Sequence, residues 1–95
     1  MARRRYLLAY DIRDERRLRS VANCVEGYGS RMQYSVFICD LSPTELVYLR
    51  ADLDQVIRPS EDSIMLVDLG SCDAPSRIVF LGQHLRLPDR SATIV

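Results

Sequence analysis

The sequence predicts an α+β domain, a two-layer sandwich with helices on one face of a sheet, and three observations lead there. Two segments, 14–25 and 42–57, repeat apolar residues at helical spacing behind a polar cap. Four apolar runs of strand length occupy 6–12, 31–39, 62–69 and 77–81, which gives the order β-α-β-α-β-β. Both helices are apolar on one side only, so each must lay that side on a second layer. Ninety-five residues make one domain, with no internal repeat, linker or low-complexity stretch inside it.

Tyr6-Leu7-Leu8-Ala9-Tyr10-Asp11-Ile12 is the first strand. Tyr and Leu suit a pleated, half-buried surface. Asp11 is costly there, because an ionised carboxylate needs partners or a cation. Arg13-Asp14-Glu15-Arg16-Arg17-Leu18-Arg19 follows and begins a helix. Two readings of Asp11 stand side by side. It caps the turn or pairs with one of these arginines, which on spacing alone is the simpler account. Otherwise it is a site for a metal ion and a phosphate.

Asp14 is the expected N-cap, with Glu15 in the first turn where the helix dipole favours an acid. Leu18, Val21, Ala22 and Val25 form one face; Arg16 falls opposite it, and Arg17 and Arg19 flank it. Gly27-Tyr28-Gly29 is expected to end the helix through a left-handed glycine. From Arg31 to Cys39, Met32, Tyr34, Val36 and Ile38 alternate with Gln33, Ser35, Phe37 and Cys39, which reads as one strand. Both its faces are apolar from Tyr34 on, as in a central strand or one beneath a partner. Ser42-Pro43-Thr44-Glu45 is a capping box with proline at the first helical position. Leu46, Leu49, Leu53, Val56 and Ile57 make the second helical face, and Pro59 lies just beyond it. The third strand, 62–69, is expected to close at Gly70, and the fourth, 77–81, at Gly82, with a polar turn over 71–76 between them. Residues 83–90 read as loop, and Ala92-Thr93-Ile94-Val95 as a short tail that could add an edge strand, here or on a neighbouring subunit.

Hydrophobic residues are 47% and charged ones 27%, which is globular composition rather than disorder. No apolar run approaches the ~20 residues of a membrane span. The basic start, Arg3 to Arg5, leads into an apolar run that stops at Asp11, too short and too acidic for a signal peptide, so a cytoplasmic protein is expected. Net charge is zero but uneven: residues 1–36 carry eight Arg against four acids, and 37–95 carry five against nine. The first part could face an anion. All 13 basic residues are Arg, the better bidentate partner for phosphate. Cys24, Cys39 and Cys72 are odd in number and widely spaced, which argues against a disulfide framework and against zinc and fits buried free thiols. The lone His84 reads as a solvated loop residue with no nucleophile near it in sequence.

With both helices on one side, the other apolar sheet face needs a cover, and a second copy is the economical one. That bears on chemistry. There is no glycine-rich phosphate loop, and one carboxylate per chain makes a poor metal nuclease centre. A dimer presenting two copies of Asp11 would supply two. Magnesium would suit them, since it takes oxygen ligands and keeps several waters.

Tyr10-Asp11-Ile12 at a strand end, then Asp14, the arginine-rich helix start, Tyr28-Gly29, Arg31 and above all Gln33-Tyr34-Ser35-Val36-Phe37 with Leu41 and Ser42 resemble the small CRISPR-associated "Cas-two" family, which works in spacer acquisition beside the integrase "Cas-one". The resemblance reaches Gly82 and the apolar Ile94-Val95 end. It implies a ferredoxin-like βαββαβ fold with an extra C-terminal strand, in a symmetric homodimer. It also implies that 31–39 splits into an edge piece near 31–33 and a central strand from Ser35, and that the 83–95 tail crosses to the partner. By the same resemblance Asp11, one from each protomer, is the metal and catalytic residue of a Mg²⁺-dependent (or other divalent cation) endonuclease acting on RNA or double-stranded DNA. Arg16, Arg17, Arg19 and Arg31 are the candidate nucleic-acid contacts, made to phosphates and therefore without sequence readout. Two alternatives are a non-catalytic scaffold of the integration complex and an unrelated ferredoxin-like regulatory or ligand-binding domain. Asp68 and the 71–76 turn match no motif of the family, and many relatives are richer in Lys and more basic.

Overall fold

In a computed structural model, which describes residues 2–74, 78–83 and 92–94, the first strand β1 (Arg4–Asp11) sits inside the sheet rather than at an edge. Its apolar character on both faces explains this, since each face meets side chains. β1 pairs antiparallel with β3 (Val36–Leu41) on one side and with β4 (Ser63–Ser71) on the other. β2 (Ser30–Gln33) pairs with β3 at the far edge, so the order is β2-β3-β1-β4. Helices α1 (Glu15–Glu26) and α2 (Pro43–Asp54) are the crossovers. This is the ferredoxin-like βαββαβ arrangement.

Alternation along the strands sorts the side chains. Leu8 and Tyr10 of β1 and Phe37, Cys39 and Leu41 of β3 join Val21, Ala22 and Val25 of α1 and Leu49 and Leu53 of α2 in one core. Leu8, Val21, Val25, Phe37 and Leu49 are wholly buried, each stabilising the fold by about 1.5–3 kcal/mol. The capping box is formed as expected: Ser42 Oγ accepts from the Glu45 N–H at 3.2 Å, and Glu45 Oε1 accepts from the Ser42 N–H at 2.8 Å.

Several expectations need correction. Residues 31–39 are not the one strand their alternation suggests but a hairpin, split as the family resemblance implies: Tyr34 and Ser35 turn the chain, and β3 begins at Val36. Period-two alternation runs straight through so tight a turn, which is why it reads as continuous. Gly27 is helical, with φ −74°, and uses no left-handed conformation. The glycine that matters is Gly29, where a Cβ would collide with the Ile38 carbonyl and with Cys39. β4 does not close at Gly70 but runs through it at φ +102°, opposite the point where the β1 register shifts between Arg4 and Tyr6. Asp68 holds that bulge by accepting from the Gly70 N–H at 2.8 Å. α2 stops at Asp54, so Val56 and Ile57 pack on the core from the turn beyond it.

The second sheet face is partly covered by the chain itself. β5 (Ile78–Phe80) brings Ile78 and Phe80 against Met32, Ile38 and Leu7. The tail strand β6 (Ala92–Ile94) pairs in parallel with β5 in a separate two-stranded sheet and does not extend the main one. Met65, Val67 and Leu69 of β4 stay exposed on this face. Residues 71–74 begin the expected polar turn, tied by the Cys72 N–H to the Arg3 carbonyl at 3.1 Å. The expectations for His84, for 84–90 and for Val95 fall outside the described residues.

Candidate active site

Asp11 is the last residue of β1 and stands opposite Ser63 of β4. Strand alternation turns Tyr10 toward the helices and Asp11 to the face that carries Leu7 and Ala9, whose cross-strand partners are Val67 and Met65. The carboxylate is exposed, and among the described residues its side chain makes no ion pair or hydrogen bond.

Both local roles open to Asp11 belong to other acids. Asp14 caps α1, its Oδ2 accepting from the Arg17 N–H at 3.0 Å. Asp62 takes the arginine. Its Oδ2 accepts from Arg17 Nε at 2.7 Å and its Oδ1 from Arg17 Nη2 at 3.2 Å. It accepts further from the backbone N–H of Arg13 at 3.1 Å and of Arg58 at 2.9 Å. The Arg17 guanidinium holds the Asp62 carboxyl far below the usual carboxylate range. Glu61 adds a second acid to Arg17 at 3.1 Å and bridges to Arg58 at 3.1 Å.

The four arginines expected to meet phosphate are therefore not alike. Arg16 and Arg19 are exposed on α1 and have no ion pair among the described residues. Arg17 is committed to Asp62 and Glu61. Arg31 is half-buried, with its guanidinium 5.2 Å above the Phe37 ring. The N-terminal arginines are also engaged: Arg3 with Glu45 at 2.6 Å, Arg4 with Asp68 at 2.9 Å, and Arg5 in a two-point pair with Asp40, both bonds 2.7 Å. Arg13, which opens the arginine-rich stretch but is not among the four expected contacts, is exposed two residues after Asp11.

Tyr10 holds the hairpin turn beside the site. Its N–H donates to the Ser35 carbonyl at 3.1 Å and its hydroxyl to the Tyr34 carbonyl at 3.3 Å. Burial pushes its phenol above the ordinary value, with Arg31 pulling the other way. No group of three or more His, Cys, Asp or Glu able to hold a metal occurs among the described residues. A single chain thus offers one free, hard oxygen ligand at Asp11. That fits a cation which keeps most of its waters and is shared between two copies.

Fold and site together define a class: a small ferredoxin-like protein with an unpaired strand-end carboxylate at the rim of an incompletely covered apolar sheet face. The family model for CRISPR associated protein Cas2 matches residues 4–75, and the chain belongs to that family. CRISPR-associated endoribonuclease Cas2 3 of Synechocystis sp. is 44% identical over 64 residues, which are 67% of this chain and 70% of that protein. CRISPR-associated endoribonuclease Cas2 1 of Rhodospirillum rubrum is 33% identical over 91 residues, 95% of this chain and 89% of that protein. The solved structure of Streptococcus pyogenes Cas2 at pH 6.5 is 38% identical and superposes with a TM-score of 0.62 over 66% of this chain and 82% of that one. A hypothetical protein from Thermus thermophilus gives a TM-score of 0.79 at 29% identity over 90% and 98% of the two chains. Membership sets aside the unrelated regulatory domain. No helix among the described residues is long and apolar enough to cross a membrane.

Proposed function

We propose that this protein serves the adaptation stage of CRISPR immunity as a homodimeric, divalent-cation-dependent endonuclease on RNA or double-stranded DNA. The observation that carries this reading is the free carboxylate of Asp11 at the rim of the apolar face left open by β4. A second copy docked on that face covers Met65, Val67 and Leu69 and brings a second Asp11 to the same rim. The two carboxylates hold one cation, Mg²⁺ by ligand type. When bound, such an ion neutralises developing phosphate charge and acidifies a water. The exposed arginines, Arg16 and Arg19, with Arg13 beside the site, bind phosphates, and Arg31 adds a stacked guanidinium. The relatives' names as endoribonucleases support cleavage of RNA. Cytoplasmic residence fits the free thiols Cys24, Cys39 and Cys72.

One observation favours a second reading. Among the described residues no further metal-binding side chains group around Asp11, and Arg3, Arg4, Arg5 and Arg17 are neutralised by acids, which suits a non-catalytic duplex-holding partner of the CRISPR integrase. Cleavage of single-stranded RNA and of double-stranded DNA, with Mg²⁺ or EDTA, separates the two. The nuclease reading expects cutting by wild type that disappears in EDTA and in Asp11→Ala. No cutting by the folded wild-type dimer leaves the scaffold; cutting that persists in Asp11→Ala moves the site elsewhere.

A further inference from the structure

The side chain of Asp62 is 0% exposed, although it is charged. It draws together three segments around the strand end that bears Asp11: the Arg13 amide two residues after Asp11, the Arg17 guanidinium on α1, and the Arg58 amide in the connection from α2 to β4. The next residue in the chain, Ser63, is the cross-strand partner of Asp11. One acid therefore grips the strand end from both sides, through the backbone that leaves Asp11 and through the strand that faces it.

Stability alone is a weak reason for such a group. A buried ion pair of this kind is often matched or surpassed by apolar residues of similar volume. Geometry is a stronger reason. A cation shared by two copies tolerates little error in either carboxylate, and a misplacement of about 1 Å costs on the order of 10²-fold in rate. The arrangement also draws Arg17 away from solvent and toward the protein. We infer that Asp62, acting through Arg17 and the Arg13 amide, is a positioning residue that fixes the Asp11 carboxylate for the reaction. This rests on the reading of Asp11 as the catalytic acid.

Asp62→Asn keeps the shape and removes the charge that holds Arg17; Arg17→Lys keeps a positive charge and removes the two-point fork. In the full-length protein, kcat and KM for RNA and for double-stranded DNA are measured against Mg²⁺ concentration. Amide hydrogen exchange is followed by NMR at residues 12–14 and at 18–25. The expected result is exchange at 12–14 faster by about tenfold with 18–25 unchanged, because only the local clamp is loosened. With it, kcat falls by about tenfold or more at constant KM, and half-saturating Mg²⁺ rises. Asp62→Glu, which restores the charge, recovers part of kcat. Wild-type exchange and kcat in a folded variant overturn the inference. So does a raised KM with unchanged kcat, which would make Arg17 a phosphate contact. If Asp62→Asn does not fold, Arg17→Lys carries the same measurement. If wild type does not cut, or Asp11→Asn cuts as well as wild type, the nuclease reading fails. The exchange at 12–14 then still decides whether Asp62 positions the strand end.

Discussion

Asp11 keeps a free carboxylate because its neighbours are better placed for the local work. Asp14 faces the first amides of α1, and Asp62 sits under the helix where Arg17 can reach it with two nitrogens. Arg17 in turn is pushed above even the usual guanidinium value by these acids, so it stays charged at any working pH. The same pairing sets an acid limit on stability. Arg17 lowers the Asp62 carboxyl and Arg5 lowers that of Asp40, both from an ordinary value of 3.8. The unfolded chain takes up these protons first, so the stabilisation is complete above 3.8 and is lost as pH falls from there through the native values. Thermal midpoints measured from pH 6 down to pH 2 are expected to drop below about pH 4, less steeply in Asp62→Asn than in wild type. Burial acts on Cys39 in the opposite sense, pushing its thiol up to about 12. Timed alkylation read by mass spectrometry is expected to label the half-buried Cys24 and Cys72 in the native protein, and Cys39 only when the protein unfolds.

Among the elements, α2 is the most plainly written. Ser42, Pro43 and Glu45 start it whatever lies around them, because the box satisfies its own backbone groups. Ser42→Ala is expected to lower unfolding free energy by about 1 kcal/mol in urea titration. The β2–β3 hairpin is the opposite case. Its sequence pattern is that of one strand, and the chain folds back because β3 must also pair with β1, from Arg4↔Leu41 to Ala9↔Val36. The end of α1 runs close against that hairpin at Gly29. Gly29→Ala is expected to cost about 1–3 kcal/mol, since backbone atoms of Ile38 and Cys39 would have to move. A urea titration beside Gly27→Ala, where a Cβ meets only an ordinary contact, is the check.

At the scale of the molecule, folding undoes the charge asymmetry of the chain. Arg3, Arg4, Arg5 and Arg17 from the basic part are each matched by Glu45, Asp68, Asp40 and Asp62 from the acidic part. What remains of the basic part for an anion is the small set at Arg13, Arg16, Arg19 and Arg31. Arg16→Ala or Arg19→Ala is therefore expected to flatten the slope of log binding constant against log salt by about one for each phosphate the variant no longer neutralises, in titrations of a DNA duplex. The open apolar face makes a separate demand. Met65 is 55% exposed, beside Val67 and Leu69, where a monomer gains nothing from it. On the proposed homodimeric nuclease reading, Met65→Glu is expected to turn the dimer into a monomer by light scattering, and to remove cleavage along with it.

The β-α-β-α-β-β order, both helix starts and the core-facing sides of the helices were legible in the sequence, because caps and periodicity are local properties that a few neighbouring residues decide; the split of 31–39 that makes the order βαββαβ was implied only by the family resemblance. Asp11 was legible as an acid ending an apolar strand, and its exposed, unpaired state was not. Only the tertiary structure shows that Asp62, 45 positions from Arg17, takes the arginine. Only it turns Gly70 into a bulge and lays β5 over Met32 and Ile38. An ion pair, a strand register or a covered face depends on which distant segments meet. No spacing within a segment carries that, because the meeting is set by packing of the whole chain.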